Sequence, residues 1–155
     1  LYPAIVTSVV FQIEIMGGRL SKKNFEALSE FRYQLRRFLR FSEEASKNEG
    51  LTPLQYLLLL HVYGYPGRSW ATVGELAERL QMQHHGVVAL LTRCEEHGLV
   101  IRQRSTSDRR RVEIHLLPTG MQALNRLASQ HKSELESLQH TFRVAQITAF
   151  NDEDA

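Results

Sequence analysis

Two short helical patterns separated by three residues constrain this chain more than anything else in it. Thr72-Val73-Gly74-Glu75 has the form of a capping box, with a Thr hydroxyl for an orphan N–H and a Glu three residues on that reaches back. The helix it opens is short, with Leu76, Ala77 and Leu80 on one face. Gln81-Met82-Gln83 interrupts it, and a second helix follows with Val87, Leu90, Leu91 and Cys94 turned inward until Gly98 stops it. Two short helices joined by so brief a turn describe a helix-turn-helix. Residues 99–104 and 111–116 then read as strands. In the second, Val112, Ile114 and Leu116 point one way and Arg111, Glu113 and His115 the other. The loop between them, Ser105 to Arg110, exceeds the ~2–5 residues usual for a hairpin. A helix-turn-helix followed by a long-looped hairpin is a winged helix-turn-helix. The expected fold is mainly α with a small β-hairpin wing: a winged helix-turn-helix plus a helical dimerisation region.

The flanks supply that second region. From Ser21 to Lys47, Phe25, Leu28, Phe31, Leu35, Phe38, Leu39 and Phe41 recur near helical spacing, and Asn48-Glu49-Gly50 ends the run. Thr52-Pro53-Leu54-Gln55 opens the next helix with a cap, a first-turn proline and a capping-box Gln. That helix, "LQYLLLLHVY", is apolar on nearly every side and is expected at the centre of the core. From Met121 onward there is neither Gly nor Pro. Met121, Leu124, Ala128, His131, Leu135, Leu138, Phe142 and Ala145 step by three or four. A helix of ~25 residues would be nearly 40 Å long at ~1.5 Å per residue. Its seam needs a second helix, and another copy of the chain is the simplest supplier. The expected dimer interface is Leu28, Met121, Leu124, Ala128, His131, Leu135, Leu138, Phe142 and Ile147. The implied organisation is 1–20 as an N-terminal extension, 21–50 with 118–150 as the helical dimerisation region, and 51–117 as the winged helix-turn-helix. For the extension two readings stand open: a non-native or upstream addition, and an ordered arm packing on a partner subunit.

Composition narrows the function classes. The chain has 155 residues, 43% hydrophobic and 23% charged, which is ordinary for one globular domain. Its formal net charge is only +2, yet Arg102 to Arg111 holds five arginines against one aspartate. A focused basic patch on a near-neutral body suits a specific anionic partner. The single cysteine, Cys94, excludes an internal disulfide and fits a reducing cytoplasm. Its inner-face position marks it as core rather than as a redox sensor, since a sensing thiol needs exposure and a lowered pKa. No apolar run reaches the ~18–20 residues of a membrane span, and no signal peptide is expected. The seven histidines form none of the spacings that zinc sites use, so neither metal nor cofactor is expected. No Gly-rich phosphate loop or nucleophile motif is present, so the chain is not expected to be an enzyme.

The candidate binding residues follow from the helix-turn-helix. With Val87, Leu90, Leu91 and Cys94 inward, the outward face of the second helix carries Gln83, His84, His85, Val88, Ala89, Thr92 and Arg93. Val88 can meet a thymine methyl, and the two histidines can donate to base edges or phosphates. In the wing, Arg104, Asp108, Arg109 and Arg110 are the candidates. Asp108 is expected to fix the turn and pair with a nearby guanidinium, aiming Arg110 at the narrow minor groove of A·T-rich DNA.

The order of these elements and the residues themselves resemble the multiple-antibiotic-resistance regulator (MarR) family over roughly residues 21–150. "LTPLQYLLLL" is similar to the family's second helix. "TVGELAERLQMQHHGVVALLTRCEEHGLVIR" is similar to its helix-turn-helix, and "DRRRVEIHLLPTG" resembles its wing signature. The chain departs at the start of the recognition helix, where Gln83-His84-His85-Gly86 replaces a usual Ser-Arg-Pro-Thr. The resemblance implies a minor-groove role for Arg110. It also implies a homodimeric, sequence-specific regulator of transcription, a ligand-responsive repressor on a palindromic operator in double-stranded DNA. A small aromatic or phenolic effector is implied too, with Arg32, Leu35, Arg36, Phe38, His61, Tyr65 and Trp70 as candidate lining residues. The alternative is a winged-helix protein-interaction module without DNA, against which the basic wing argues.

Overall fold

The computed structural model describes residues 20–137. The elements run α1 (Lys22–Asn48), α2 (Pro53–Tyr63), β1 (Trp70–Ala71), α3 (Val73–Leu80), α4 (His84–Glu96), β2 (Val100–Arg104), β3 (Val112–Leu116) and α5 (Pro118–Ser137). The chain divides into two compact units: Leu39–Leu135, and the residues before Leu39 and after Leu135. The extension before Leu20 lies outside the described residues, as do Leu138, Phe142 and Ile147.

In the smaller unit, α1 starts on a reciprocal cap. Asn24 Oδ1 accepts from the Ser21 N–H at 2.7 Å, and the Asn24 N–H donates to Ser21 Oγ at 3.3 Å. Asn24, Ala27 and Gln34 are buried, while Phe25 and Tyr33 are more than half exposed in the single chain (55% and 57%).

The larger unit is built around α2. Its Thr52–Gln55 capping box forms as the sequence predicts: the Thr52 N–H donates to Gln55 Oε1 at 2.9 Å and Thr52 Oγ1 accepts from the Gln55 N–H at 3.2 Å. Leu58, Leu59 and Val62 are fully buried, together with Leu76, Val87, Leu91, Cys94, Ile114 and Leu127 from the surrounding elements. Each such side chain contributes about 1.5–3 kcal/mol on leaving water.

α5 covers another side of this core. Leu124 and Leu127 belong to it, and Ala128 packs against it. His131 stacks on Tyr56 with ring centroids 4.5 Å apart. Its Nδ1 faces the Leu127 carbonyl at 2.7 Å and must be the donor there, which leaves Nε2 for Ser42 Oγ at 2.7 Å. Leu124, Ala128 and His131, expected on a dimer seam, are packed within the single chain, and Met121 is half-buried. The periodicity identifies a face that must be covered without saying what covers it. At His131 the neighbours are Tyr56 of α2 and Phe41 and Ser42 of α1. Gly120 permits the approach of α5, because a Cβ there would stand 2.1 Å from the Leu99 carbonyl oxygen. That carbonyl also accepts from the Leu117 N–H at 2.9 Å.

The wing is a three-stranded antiparallel sheet in the order β1-β3-β2. The two-residue β1 is an addition to the expected hairpin, pairing Trp70 with His115 and Ala71 with Ile114. β3 begins at Val112, not Arg111, because the Arg111 carbonyl and N–H are engaged in the loop. Val112 does not join the core; it is 38% exposed. It shares a face with Ile114, but one pleat nearer the tip, where the hairpin has passed beyond the core.

Candidate nucleic-acid interface

The helix-turn-helix is set by its caps. At α3, the Thr72 N–H donates to Glu75 Oε2 at 2.8 Å and Thr72 Oγ1 accepts from the Glu75 N–H at 3.4 Å. The helix ends at Gln81 in the left-handed region (φ 52°), and the Met82 N–H reaches back to the Ala77 carbonyl at 3.0 Å. α4 begins at His84 with Gln83 as its N-cap, and the Gln83 side chain makes no capping bond. α4 stops at Gly98 (φ 66°), where the Gly98 N–H bonds the Glu95 carbonyl and the Leu99 N–H the Cys94 carbonyl, both at 2.9 Å.

Val87, Leu90, Leu91 and Cys94 of α4 face the core. Burial pushes the Cys94 thiol up to about 11, so it is a packing residue and not a thiolate. Gln83, His84, His85, Val88, Ala89, Thr92 and Arg93 are all exposed. Thr92 is nonetheless already engaged. Its hydroxyl donates to the Val88 carbonyl at 3.1 Å and accepts from Arg102 Nη2 at 3.3 Å.

Arg102 is the residue that sequence reasoning missed. It stands opposite Ile114 in the β2–β3 register, so it shares the core-side face of the hairpin. From there its guanidinium reaches the Val88 carbonyl at 3.3 Å and pairs with Glu95 at 3.1 Å. Strand β2 is thereby tied to α4. The one available signal was alternation: Val100, Arg102 and Arg104 fall on one side of β2.

The wing loop folds around Ser105. Its Oγ lies 3.3 Å from the Ser107 N–H, 3.4 Å from the Asp108 N–H and 2.9 Å from Arg111 Nη2, accepting from all three. The Ser105 N–H donates to the Arg111 carbonyl, and the Arg111 N–H to the Asp108 carbonyl, both at 3.0 Å. Arg111 Nη2 also donates to Ser107 Oγ at 3.0 Å and Glu113 Oε1 at 3.2 Å. Asp108 acts on the backbone: its Oδ1 accepts from the Arg110 N–H at 3.0 Å. It does not pair with a guanidinium as expected, because a two-residue reach favours the nearby amide. Among the described residues Arg104, Arg109 and Arg110 are exposed and carry no ion pair, whereas Arg111 is half-buried and committed to the loop.

Behind the wing, guanidinium groups and rings alternate. Arg79 lies 5.1 Å from the Tyr65 ring centroid and Arg68 4.2 Å from it. Arg68 is also 3.8 Å from the Trp70 centroid, and Arg111 is 4.7 Å from it. Arg68 pairs in addition with Glu75. Tyr65 and Trp70, expected to line an effector pocket, thus have Arg68 on their rings. His61 is half-buried, and burial reinforced by the Arg79 charge lowers its pKa below the ordinary 6.5. Arg32, Leu35, Arg36 and Phe38 belong to the smaller unit. Among the described residues no group of three or more His, Cys, Asp or Glu is placed to hold a metal ion.

The sequence model of the MarR family matches residues 49–111. A putative transcriptional regulatory protein for the hcr operon of Thauera aromatica is 34% identical over 96 residues, covering 62% of this chain and 56% of that protein. The transcriptional repressor MdtR of Bacillus subtilis is 29% identical over 77 residues, covering 50% of this chain and 48% of that one. The matches span only about half the length of these two relatives. Among solved structures, AbsC of Streptomyces coelicolor, a MarR family regulator, superposes with a TM-score of 0.67 at 20% identity, over 88% of this chain and 92% of its own. A mutant MepR of S. aureus, bound to an oligodeoxyribonucleotide, gives 0.59 at 20% identity, over 78% and 87%. The fold is theirs, and residues 49–111, which hold the helix-turn-helix and most of the wing, are similar in sequence to the MarR family.

Proposed function

We propose that this chain is a DNA-binding transcriptional regulator acting as a homodimer, and that its role is binding rather than catalysis. One observation carries the reading. The outward face of α4 is held in place by the capped α3 and by Arg102, and a wing beside it in sequence presents Arg104, Arg109 and Arg110 exposed and, among the described residues, without an ion pair. α4 would enter a major groove and the wing arginines a flanking minor groove, where phosphates and electronegative base edges supply the missing counter-charge. MepR, similar in fold, is bound to DNA in one solved structure, and relatives carry the names regulator and repressor. Binding DNA is a role such a protein would carry out in the cytoplasm.

Dimerisation is supported by the exposed Phe25 and Tyr33 on α1, with half-buried Leu28 on the same helix. Two-fold symmetry then calls for a palindromic operator with half-sites about one helical turn, ~10 bp, apart. Repression relieved by a small aromatic effector fits the family. At Tyr65 and Trp70 such a ligand would have to displace Arg68 from the rings. The test is a gel shift with the DNA upstream of the protein's own coding sequence, at two salt concentrations and with aromatic carboxylates added. A specific, salt-sensitive shift is expected. No shift at low salt, with a protein partner captured through α4 instead, overturns the reading in favour of a protein-interaction module.

A further inference from the structure

The run Arg79–Tyr65–Arg68–Trp70–Arg111 joins three parts of the winged unit that are far apart in sequence. Arg79 lies on α3, Tyr65 and Arg68 between α2 and β1, and Arg111 at the end of the wing loop. Trp70 is attached to the wing twice. Its backbone pairs with His115 of β3, and its ring lies against Arg111. Arg111 in turn holds the loop through Ser105, Ser107 and Glu113. The two guanidinium groups that lie over Trp70 each have a buried Nε with no hydrogen-bond partner, on Arg68 and on Arg111. A cation placed there without water is compensated by the negative face of the ring. Arg68 is anchored at its other end by Glu75, the capping residue of α3. The stack therefore connects the cap of the first helix of the motif to the base of the wing.

We propose that Trp70 is a positioning residue for the wing: through Arg68 and Arg111 it fixes the loop that presents Arg109 and Arg110 relative to the helix-turn-helix. Trp70 does not touch the ligand in this scheme; it acts through Arg111. Where the proposal concerns DNA, it rests on the reading above, but its structural half can be tested without DNA.

The test compares Trp70→Leu, which removes the π-face, with Trp70→Phe, which keeps one. Hydrogen exchange is followed in the free protein at the Ser105, Arg110 and Arg111 amides, each bonded within the loop. In Trp70→Leu these amides are expected to exchange about tenfold faster or more while those of Leu90 and Leu91 keep their rates, and Trp70→Phe is expected to restore protection. Equal acceleration at the wing and in α4 means general destabilisation and overturns the proposal, as does no acceleration at all. If Trp70→Leu does not fold, Arg68→Met breaks the stack with Trp70 in place, and the same local pattern is expected.

The second arm measures affinity for a labelled duplex from upstream of the protein's own coding sequence, using Arg110→Ala, Trp70→Leu and the double variant. A mispositioned wing has already lost its arginine contact. Arg110→Ala is therefore expected to cost about tenfold in the native background and little in Trp70→Leu. Independent losses that multiply overturn the positioning role. A native protein that binds no duplex sinks the DNA reading alone, since the exchange result still decides whether Trp70 holds the wing.

Discussion

Arg102 Nη2 lies 3.3 Å from the carbonyl oxygen of Val88, so a strand of the wing grips the backbone of the helix whose outer face is the candidate reading surface. The same guanidinium meets Thr92 and Glu95 on the next turns of α4. Arg102→Met keeps the aliphatic stem and removes these bonds. Because the Arg102–Glu95 pair is about one-third exposed (34% and 30%), only about 1 kcal/mol of stability should be lost. Affinity for duplex DNA should fall more than that stability loss accounts for. Denaturant melts set beside binding titrations check this; an affinity indistinguishable from the native protein's would dismiss Arg102 as a positioning group.

Arg110 is exposed, and its backbone N–H is fixed by Asp108 while its guanidinium has no ion pair among the described residues. In the proposed complex it contributes one cationic contact. Arg110→Ala should weaken binding about tenfold and lower the slope of log K against log salt by about one. An unchanged slope in a salt titration would remove Arg110 from the interface. Asp108→Ala should act in the same direction more weakly, by loosening the turn.

Much of this architecture was legible in the sequence because local chemistry encodes it. The capping boxes at Thr52 and Thr72, the stop at Gly98 and the exposed set on α4 depend on residues a few positions apart. What the sequence concealed depends on tertiary neighbours. Arg102, Arg68 and Arg111 read as surface charge until register and packing bring carbonyls, rings and carboxylates to them. Ser105 reads as loop polarity, yet it is buried at the centre of the wing's hydrogen bonds. The periodicity of α5 is visible in the sequence, but that His131 meets Tyr56, Phe41 and Ser42 depends on topology.

Gly120 is another such position. The Leu99 carbonyl fills the space a Cβ would need, at 2.1 Å, so Gly120→Ala must push the first turn of α5 away from the end of α4. Overpacking against rigid backbone should cost about 2–3 kcal/mol. Urea unfolding will show it, and a change under about 0.5 kcal/mol would mean that α5 relaxes freely.

Glu75 and Glu113 should make stability acid-sensitive. Burial alone would raise Glu75, but the Thr72 N–H, the Arg68 side chain and the Thr72 hydroxyl together bring it below the ordinary 4.5. Glu113 is likewise brought down, against desolvation, by His115, Ser105 and Arg111. A carboxylate whose folded pKa is depressed takes up a proton more readily when unfolded. Its contribution is therefore complete above the unfolded value and is lost as pH falls through the lower, folded one. Glu75→Gln should be less stable than the native protein near neutral pH and equal to it well below about pH 4. Urea midpoints across that range test this; parallel pH profiles would show that the ion pair with Arg68 adds nothing.

Gln83 separates helix stability from recognition. It stands at the N-cap of α4 in extended conformation (φ −68°, ψ 147°) but offers no side-chain bond to the first turn. Serine at that position can cap. Gln83→Ser should stabilise the fold by about 0.5–1 kcal/mol and raise the melting temperature by about 1–4 °C. Gln83 is exposed beside His84 and His85, and in the proposed complex it would meet the DNA with them. The variant should be more stable and yet bind duplex DNA less tightly. If stability and affinity rise together, Gln83 contributes nothing to binding beyond its place at the start of α4, and recognition falls to His84, His85 and Val88.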